Sequence, residues 1–278
     1  MTYTLITGAS AGIGKALAEE CARRNHNLIL ISSNVHRLEK TVRYLASSYP
    51  VEIKQYTQDL TLADAPENIY HWCQANQLKV NMLINNVGIG HKGSFENTTI
   101  EFYQKMMVFH TQLIISLTKL FMPDLKAYHQ SYILNVASLS AFFPVPYKSV
   151  YAASKSFILS FSLALRRELK NTSANVSCLC PSGVTTNEAV IQRIEAAGVM
   201  GKITRMTPEK VAAIAVKGLL KNKAIIIPGI LNRIIAFIAW ILPFAAVLKL
   251  GEHYMQKPSD SEQLSVPSSS TPRAANDF

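Results

Sequence analysis

A tyrosine and a lysine four residues apart, Tyr151 and Lys155, are the residues of this chain best suited to catalysis. In a helix, residues i and i+4 share a face, so both side chains can reach one site. A phenol holds its proton up to a pKa of about 10, and a neighbouring ammonium favours the phenolate and eases proton exchange. The upstream Ser138 adds a hydroxyl that can hydrogen-bond a carbonyl or alcohol oxygen. Together they suit proton transfer to an oxygen whose carbon gains or loses a hydride.

A glycine-rich turn near the start of the chain predicts a dinucleotide site. Residues 3–7 are typical of a buried strand, residues 8–14 form the turn, and residues 15–24 have helical composition. Glycines let the backbone approach a pyrophosphate closely, and the N-terminus of the following helix favours its charge. Strand, turn and helix is the local structure that such a site needs. The candidate cofactor-binding residues of the turn are Gly8, Ser10, Gly12, Ile13 and Gly14.

The order and spacing of the motifs resemble those of the short-chain dehydrogenase/reductase family over roughly residues 1–230. Residues 85–88, N-N-V-G, are similar to the family's N-N-A-G, and residues 133–138 end in a serine that precedes Tyr151 by 13 positions. Residues 181–186, P-S-G-V-T-T, resemble the loop that follows the family's sixth strand, with one residue altered. The resemblance implies an α/β fold with a Rossmann-like, doubly wound parallel sheet in a single domain.

The resemblance also implies an NAD(P)(H)-dependent oxidoreductase that acts on a carbonyl/alcohol pair. Tyr151 is the expected general acid in reduction. Lys155 is expected to lower the tyrosine's pKa and to hold the nicotinamide ribose, and Ser138 to orient the substrate oxygen. Further cofactor contacts are expected from Asp59, after the third strand at residues 51–57, and from Asn86, Gly88, Pro181, Gly183, Val184 and Thr186.

One departure from the family concerns a helix asparagine that holds a water between the catalytic lysine and solvent. When the helix is located from residues 117–119 and Pro123, His110 occupies the position of that asparagine. Histidine can also relay protons, so activity is expected to survive. A core or interface histidine without a relay role is the alternative. The corresponding alternative to an enzyme is a catalytically silent dinucleotide-binding or membrane-associated interaction protein.

A second departure bears on the choice of cofactor. After the second strand, predicted at residues 27–31, NAD-dependent relatives place an acidic residue on the ribose, whereas this chain has Ser32, Ser33 and Asn34. No carboxylate there would repel a 2′-phosphate, and small hydroxyls can donate to it. NADP(H) is therefore favoured, although the glycine loop carries no cation, and NAD(H) is the alternative.

Apolar residues are expected to line the substrate cleft. The variable substrate loop is predicted at residues 184–201, and residues 142–146, F-F-P-V-P, are predicted to form the opposite wall. Such a surface favours a lipophilic ketone, either a 3-oxoacyl chain or a steroid-like molecule. The alternative is that these side chains only fill the core. The apolar members of the loop are Val190, Ile191, Ile194, Val199 and Met200.

The composition indicates a basic globular protein. Of 278 residues, 49% are hydrophobic, which is enough for a large core, and the formal net charge is +10. The charge is interpreted as spread over solvated helices, where it helps to hold an anionic cofactor, and no motif indicates nucleic acid. The four cysteines have no metal-type spacing, so no metal site is predicted. They are interpreted as reduced core thiols, with Cys178 and Cys180 on opposite faces of a strand.

The C-terminal part differs from the rest. Residues 234–248 form an uncharged apolar run that Pro243 interrupts and that Arg233 and Lys249 bracket. A membrane-spanning helix needs about 20 apolar residues, so a true span is the least favoured interpretation. A lid or subunit-contact element and a membrane-surface helix are the alternatives.

Three regions are predicted along the chain. Residues 1–230 form the dinucleotide-binding and catalytic domain, residues 231–256 an apolar extension, and residues 257–278 a disordered tail rich in serine and proline. The first strand begins so early that neither a signal peptide nor an N-terminal anchor is expected. We expect a cytoplasmic homo-oligomer, mainly soluble, with at most peripheral membrane contact.

Overall fold

The computed structural model describes residues 1–186, 203–243 and 245–249. Strands and helices alternate along these residues. A π-helical turn (Val108–Gln112) joins the fourth and fifth helices, and a 3₁₀ turn (Leu139–Phe142) follows the fifth strand. The elements are β1 (Tyr3–Thr7), α1 (Gly12–Arg23), β2 (Asn27–Ser32), α2 (Val35–Ser48), β3 (Ile53–Thr57), α3 (Ala65–Ala75), β4 (Val80–Asn85), α4 (Ile100–Met107), α5 (Leu113–Ala127), β5 (Ser131–Val136), α6 (Ser149–Glu168), β6 (Ala174–Leu179), α7 (Pro208–Leu220), β7 (Ile225–Ile226) and α8 (Ile230–Ile241).

In the described residues, the strands form one parallel sheet in the order β3-β2-β1-β4-β5-β6-β7. Parallel strands covered on both faces have continuous apolar sequences, and all five residues of β1 are buried. Alternate residues serve the two faces: Ile6 packs with α1 and α7, whereas Leu5 packs with α3 and α5. This architecture confirms the predicted Rossmann-like, doubly wound α/β fold.

The strand order reverses between β1 and β4, and this reversal positions the site. In open α/β sheets, ligands bind at such a switch point, outside the carboxyl ends of the strands. The loop after β1 is the glycine turn, and the loop after β4 carries Asn86 and Gly88. Both predicted cofactor motifs therefore open on the same crevice.

The cysteine pair at the end of β6 differs from the prediction. Cys178 and Cys180 have their sulfur atoms 3.8 Å apart and pack in one apolar cluster. Residues two apart in an extended chain share a face, so the prediction of opposite faces is wrong. All four cysteines are buried and free.

Some predicted regions lie outside the described residues. Residues 187–202, which hold most of the predicted substrate loop, are among them, and so is the predicted tail at 257–278. The apolar C-terminal run is described in part, as α8 and the helical residues 245–249 on either side of Pro243. No helix within the described ranges combines the length and the apolar character needed to cross a bilayer.

Candidate active site

The turn between β1 and α1 requires glycine for two different reasons. Gly8 and Gly12 have φ values of +68° and +55°, which residues with side chains rarely adopt. A Cβ on Gly14 would lie 2.1 Å from the Gly8 carbonyl oxygen, so the helix packs directly on the turn. No side chain caps the free N–H groups at the start of α1, which leaves them available to an anion. Ser10 and Ile13 lie in the same turn, partly buried.

Asn86 and Thr7 fasten this turn to the end of β4. Asn86 Nδ2 donates to the carbonyl oxygens of Thr7 (2.9 Å) and Gly8 (3.3 Å), and its backbone N–H donates to Thr7 Oγ1 at 3.1 Å. Sequence reasoning missed Thr7. The sequence feature that could have identified Thr7 is its position: it is a polar residue at the end of an apolar strand, directly before the first glycine.

The loop after β6 lies between the glycine turn and the residues after β5. A Cβ on Gly12 would lie 3.1 Å from Thr186 Cγ2, so the two loops are in contact. At the other end, the Leu139 N–H donates to the Pro181 carbonyl oxygen at 2.8 Å. Between these contacts lie the other predicted loop residues, Gly183 and Val184.

The structure brings Ser138, Tyr151 and Lys155 together at the carboxyl end of β5. Ser138 precedes the 3₁₀ turn, where its hydroxyl accepts the Ser140 N–H at 3.2 Å, and it lies close enough to Tyr151 to lower the phenol's pKa. Tyr151 and Lys155 lie in the first two turns of α6, with Lys155 Nζ 5.8 Å from the centre of the tyrosine ring. The ammonium also donates to the Val136 carbonyl oxygen at 3.0 Å, which ties α6 to the strand end.

Burial determines the protonation of the tyrosine and the lysine. It raises the pKa of Tyr151 above its usual value, and the nearby Ser138 side chain opposes this only in part. Burial also lowers the pKa of Lys155 to about 8. Desolvation dominates here, so the pKa of Tyr151 lies above its usual value even with Lys155 beside the ring. That the lysine's charge lowers the tyrosine's pKa stays a prediction. Near neutral pH the phenol keeps its proton and most of the lysine is ammonium.

His110 lies next to these residues, fully buried in the middle of the π-helical turn. Its Nε2 accepts the Ile89 N–H at 3.3 Å, so Nδ1 carries the proton and donates to Ser154 Oγ at 2.8 Å. Ser154 in turn donates to the Tyr151 carbonyl oxygen at 2.8 Å. Burial and the charge of Lys155 lower the pKa of His110 to about 2, so the ring is neutral.

Two details of this arrangement were not evident from the sequence. Gly88 must be glycine here, because a Cβ would lie 2.8 Å from His110 Nε2 and 3.5 Å from Lys155 Nζ. Ser154 is the residue that connects His110 to α6, and sequence reasoning missed it. The only sequence feature that could have identified Ser154 was its place beside Lys155 in the Tyr-x-x-Ser-Lys segment.

The residues predicted near the cofactor ribose lie where β2 and β3 end. Ser32 is buried, and its hydroxyl donates to Ser10 Oγ at 2.8 Å, while Ser33 is exposed. Asp59 is exposed two residues beyond β3, and its carboxylate accepts from the N–H and the hydroxyl of Thr61. These hydrogen bonds lower the pKa of Asp59. The Ser32 hydroxyl is thus already bonded within the protein, whereas the Ser33 residue is exposed.

The predicted apolar wall is divided between core and surface. Val145 is buried and Phe142 packs against the buried cluster that contains Ile158, whereas Pro144 is exposed. Phe143 and Pro146 are partly buried. Some of these side chains therefore fill the core, which is the alternative that the sequence left open.

A comparison with known families identifies the chain. A family model described as short chain dehydrogenase matches residues 2–196. The chain belongs to the short chain dehydrogenase family. It is thus a member of a family of NAD(P)-dependent oxidoreductases that act on CH–OH groups, as its motifs predicted.

Individual relatives agree with this assignment. The chain is 31% identical over 219 residues to very-long-chain 3-oxoacyl-CoA reductase-A of Danio rerio, a match that covers 76% of this chain and 65% of that relative. It therefore spans slightly less than two thirds of that relative's length.

Solved structures show the same fold. A short-chain dehydrogenase from Sphingobium yanoikuyae in complex with NADPH is 25% identical, with a TM-score of 0.74, covering 94% of this chain and 100% of that one. A short chain dehydrogenase/reductase from Burkholderia phymatum in complex with NAD is 21% identical, with a TM-score of 0.75, covering 85% and 92%.

Proposed function

We propose that this chain is an NAD(P)(H)-dependent oxidoreductase that interconverts a ketone and a secondary alcohol on a lipophilic substrate. The observation that carries the proposal is the convergence of Ser138, Tyr151 and Lys155 at the carboxyl end of β5, beside the glycine turn. The relative named as a very-long-chain 3-oxoacyl-CoA reductase supports a 3-oxoacyl substrate. A steroid-like ketone is the second candidate substrate. It is supported by the apolar residues that follow Ser138 and by those of the predicted substrate loop.

The residues present fit a dinucleotide. Because Gly14 has no side chain, α1 packs directly on the glycine turn. The turn and the start of α1, whose N–H groups no side chain caps, together form a backbone cradle. When bound there, the nicotinamide supplies or accepts the hydride at the substrate carbon. Asn86 contacts the glycine turn through its hydrogen bonds to Thr7 and Gly8, and the loop at residues 181–186 contacts it through Thr186.

In the direction of reduction, Tyr151 donates its proton to the substrate oxygen. Burial keeps the phenol protonated near neutral pH, which is the state that a general acid needs. Ser138 lies close to this phenol, so its hydroxyl can orient an oxygen that arrives beside it. Lys155 carries a positive charge close to the tyrosine, which stabilises the phenolate left after proton transfer.

His110 is proposed to hold neighbouring residues of the site in place and not to transfer protons. Both of its ring nitrogens are bonded within the protein, to the Ile89 N–H and to Ser154. Through these bonds it links the loop after β4 to the first turns of α6. A neutral histidine fixed in this way holds Lys155 and the Gly88 loop in register, which favours the core alternative over a proton relay.

NADP(H) is the proposed cofactor, with NAD(H) as the alternative. The support is local: no carboxylate occupies residues 32–34, and the exposed Ser33 can donate to a 2′-phosphate. The two solved relatives described above carry NADPH in one case and NAD in the other. The choice therefore rests on this chain's own residues.

The proposal is tested by a screen of 3-oxoacyl thioesters and steroid ketones with NADPH and with NADH. On the best substrate, Tyr151→Phe should lower turnover at least ~100-fold, because the exchangeable proton is gone, while cofactor affinity is retained. Tyr44→Phe is the matched control. The hydroxyl of this exposed tyrosine on α2 donates to Glu19, and phenylalanine keeps the ring beside Lys15, so turnover should be unchanged. Turnover of Tyr151→Phe close to that of the parent would show that the acid is assigned wrongly.

A further inference from the structure

The last helix, α8, is oriented opposite to a normal surface helix. Its inward positions hold Asn232 and Ala236, which are 2% and 4% exposed. Six of its large apolar side chains are exposed, and the other two are partly buried. Surface helices usually bury their apolar stripe and expose their polar one. A contiguous exposed apolar patch of this kind marks an interaction site. The outward residues, here called the apolar face, are Ile230, Ile234, Phe237, Ile238, Trp240 and Ile241.

Hydrogen bonds fix this orientation. Asn232 Nδ2 donates to the Pro228 carbonyl oxygen at 2.7 Å and to Ser182 Oγ at 2.9 Å. Rotating α8 to bury its apolar face would remove these bonds and leave buried polar groups unpaired. The fold therefore holds these apolar residues in their outward orientation. The helix also packs against the 3₁₀ turn that follows Ser138.

Positive charge borders the apolar face. Four cations line one shallow pocket between α7, β7 and the start of α8: Lys217, Lys221, Lys223 and Arg233. Arg233 belongs to α8 itself, and its Nε donates to the Ile227 carbonyl oxygen at 3.0 Å, which holds the start of α8 beside the pocket. None of the ion pairs among the described residues involves these four side chains. We call them the basic cluster.

We propose that the apolar face and the basic cluster together dock on the surface of an anionic lipid bilayer, with α8 lying in the plane of the interface. Helices that bind in this way combine apolar residues, often with an aromatic ring, and cations that attract anionic headgroups. The 12 residues of α8 extend about 18 Å at 1.5 Å per residue, less than the ~30 Å of a bilayer's hydrocarbon core. The length suits insertion along the surface.

The charge pattern argues against a second copy of this chain as the occupant. A two-fold contact uses the same patch on both partners, so it would bring two basic clusters to the edge of one interface. Like charges placed together oppose association. An anionic bilayer covers the same apolar area and neutralises the same cations. This inference is independent of the proposed catalytic function.

Tryptophan fluorescence provides a direct test on the full chain. The two tryptophans are Trp72 and Trp240, so Trp72→Phe leaves Trp240 as the sole reporter, and phenylalanine can keep the stacking on Tyr56. In buffer, Trp240 should emit as an exposed indole, since it is 76% exposed. Vesicles of phosphatidylcholine with phosphatidylglycerol should shift its emission to shorter wavelength, and brominated acyl chains should quench it. Pure phosphatidylcholine vesicles should produce a much smaller effect.

Two sets of variants separate the apolar and the electrostatic contributions in vesicle sedimentation. Phe237→Gln should weaken binding at least tenfold. Lys217→Gln, Lys221→Gln and Lys223→Gln should each weaken binding to anionic vesicles about fivefold, which corresponds to about 1 kcal/mol per cation. Matched controls on other elements should bind as the parent does: the exposed Ile100→Gln, and the exposed lysine changes Lys40→Gln, Lys79→Gln and Lys126→Gln.

Three results would overturn the inference. The first is a correctly folded parent protein that does not bind anionic vesicles at low salt. The second is a dimer in analytical ultracentrifugation that Phe237→Gln dissociates, which would assign the face to a second copy. The third is Trp240 emission at short wavelength without vesicles, which would mean that the chain itself covers the face.

Discussion

Replacing Lys155 by methionine should change how the stability of the protein depends on pH. The lysine is almost fully buried, at 4% exposure, and burial lowers its pKa from 10.5 to about 8. Its neutral form is thus favoured in the fold relative to the unfolded chain. Between pH 8 and pH 10.5 the unfolded chain binds more protons than the native one, so stability rises with pH in that window. Lys155→Met lacks this contribution.

The magnitude follows from the two pKa values. A difference of about 2.5 units costs roughly 3 kcal/mol while the lysine is charged in both states, at pH 7 and below. As pH rises, the parent should recover about 1.4 kcal/mol by pH 9 and about 2.5 kcal/mol by pH 10, relative to the variant. Loss of the hydrogen bond to the Val136 carbonyl oxygen adds a constant offset, which does not alter this slope.

Urea unfolding of both proteins at pH 7, 8, 9 and 10 measures the effect. Groups remote from Lys155 titrate in parent and variant alike, so they cancel in the difference. Cys180 interacts with the lysine, but its hydrogen bond with Cys178 and its burial raise its pKa well above the usual value. Lys119→Met is the control, because Lys119 is exposed and its removal should leave the difference independent of pH. If the free-energy difference between parent and Lys155→Met is flat from pH 7 to pH 10, burial does not lower the lysine's pKa and the reasoning fails.

Three further perturbations test other parts of the site. His110→Gln should remove the parent's loss of about 2 kcal/mol between pH 7.5 and pH 5, because burial holds the histidine neutral below its usual pKa of 6.5; equal acid sensitivity in urea unfolding would contradict this. Ser33→Asp should reverse a preference for NADPH over NADH through charge repulsion, because Ser33 is exposed whereas Ser32 is buried against Ser10; tighter NADH binding by the parent in titrations would refute the cofactor assignment. Gly14→Ala should weaken NADPH binding at least tenfold in the same titrations, because its Cβ meets the Gly8 carbonyl oxygen at 2.1 Å; unchanged affinity would show that the cradle is placed wrongly.

The motif residues converge because of the sheet's topology, and their sequence spacing already implied it. Residues at the carboxyl ends of parallel strands meet at one edge, and the glycine turn, Asn86, Ser138 and the loop after β6 all follow such ends. The predicted positions of β1 and β2 agree with the structure within a residue. The third strand is two residues shorter than predicted, since strand ends carry little sequence signal.

The electrostatics of the site could not be derived from the motif. An i, i+4 spacing shows that Tyr151 and Lys155 share a face, but it does not show how deeply α6 buries them. Desolvation depends on every element packed around the pair, and here it is the largest cause of the pKa shift of each residue. For the same reason the sequence left His110 open between a relay and a core residue. Its two hydrogen bonds, to residues 21 and 44 positions away, exist only in the folded chain.

The fold class, the family and the residues that meet at the candidate site could all be predicted from the sequence. These follow from local patterns: apolar runs, glycines before a helix, and a tyrosine and lysine on one helix face. Three other properties are evident only in the folded chain: which side chains are desolvated, which hydroxyls are hydrogen-bonded within the protein, and which side of α8 is exposed. Burial and pairing are sums over neighbours distant in sequence, so no local pattern encodes them. An apolar run such as residues 234–248 reads the same whether it is covered or, like the apolar face of α8, directed outward.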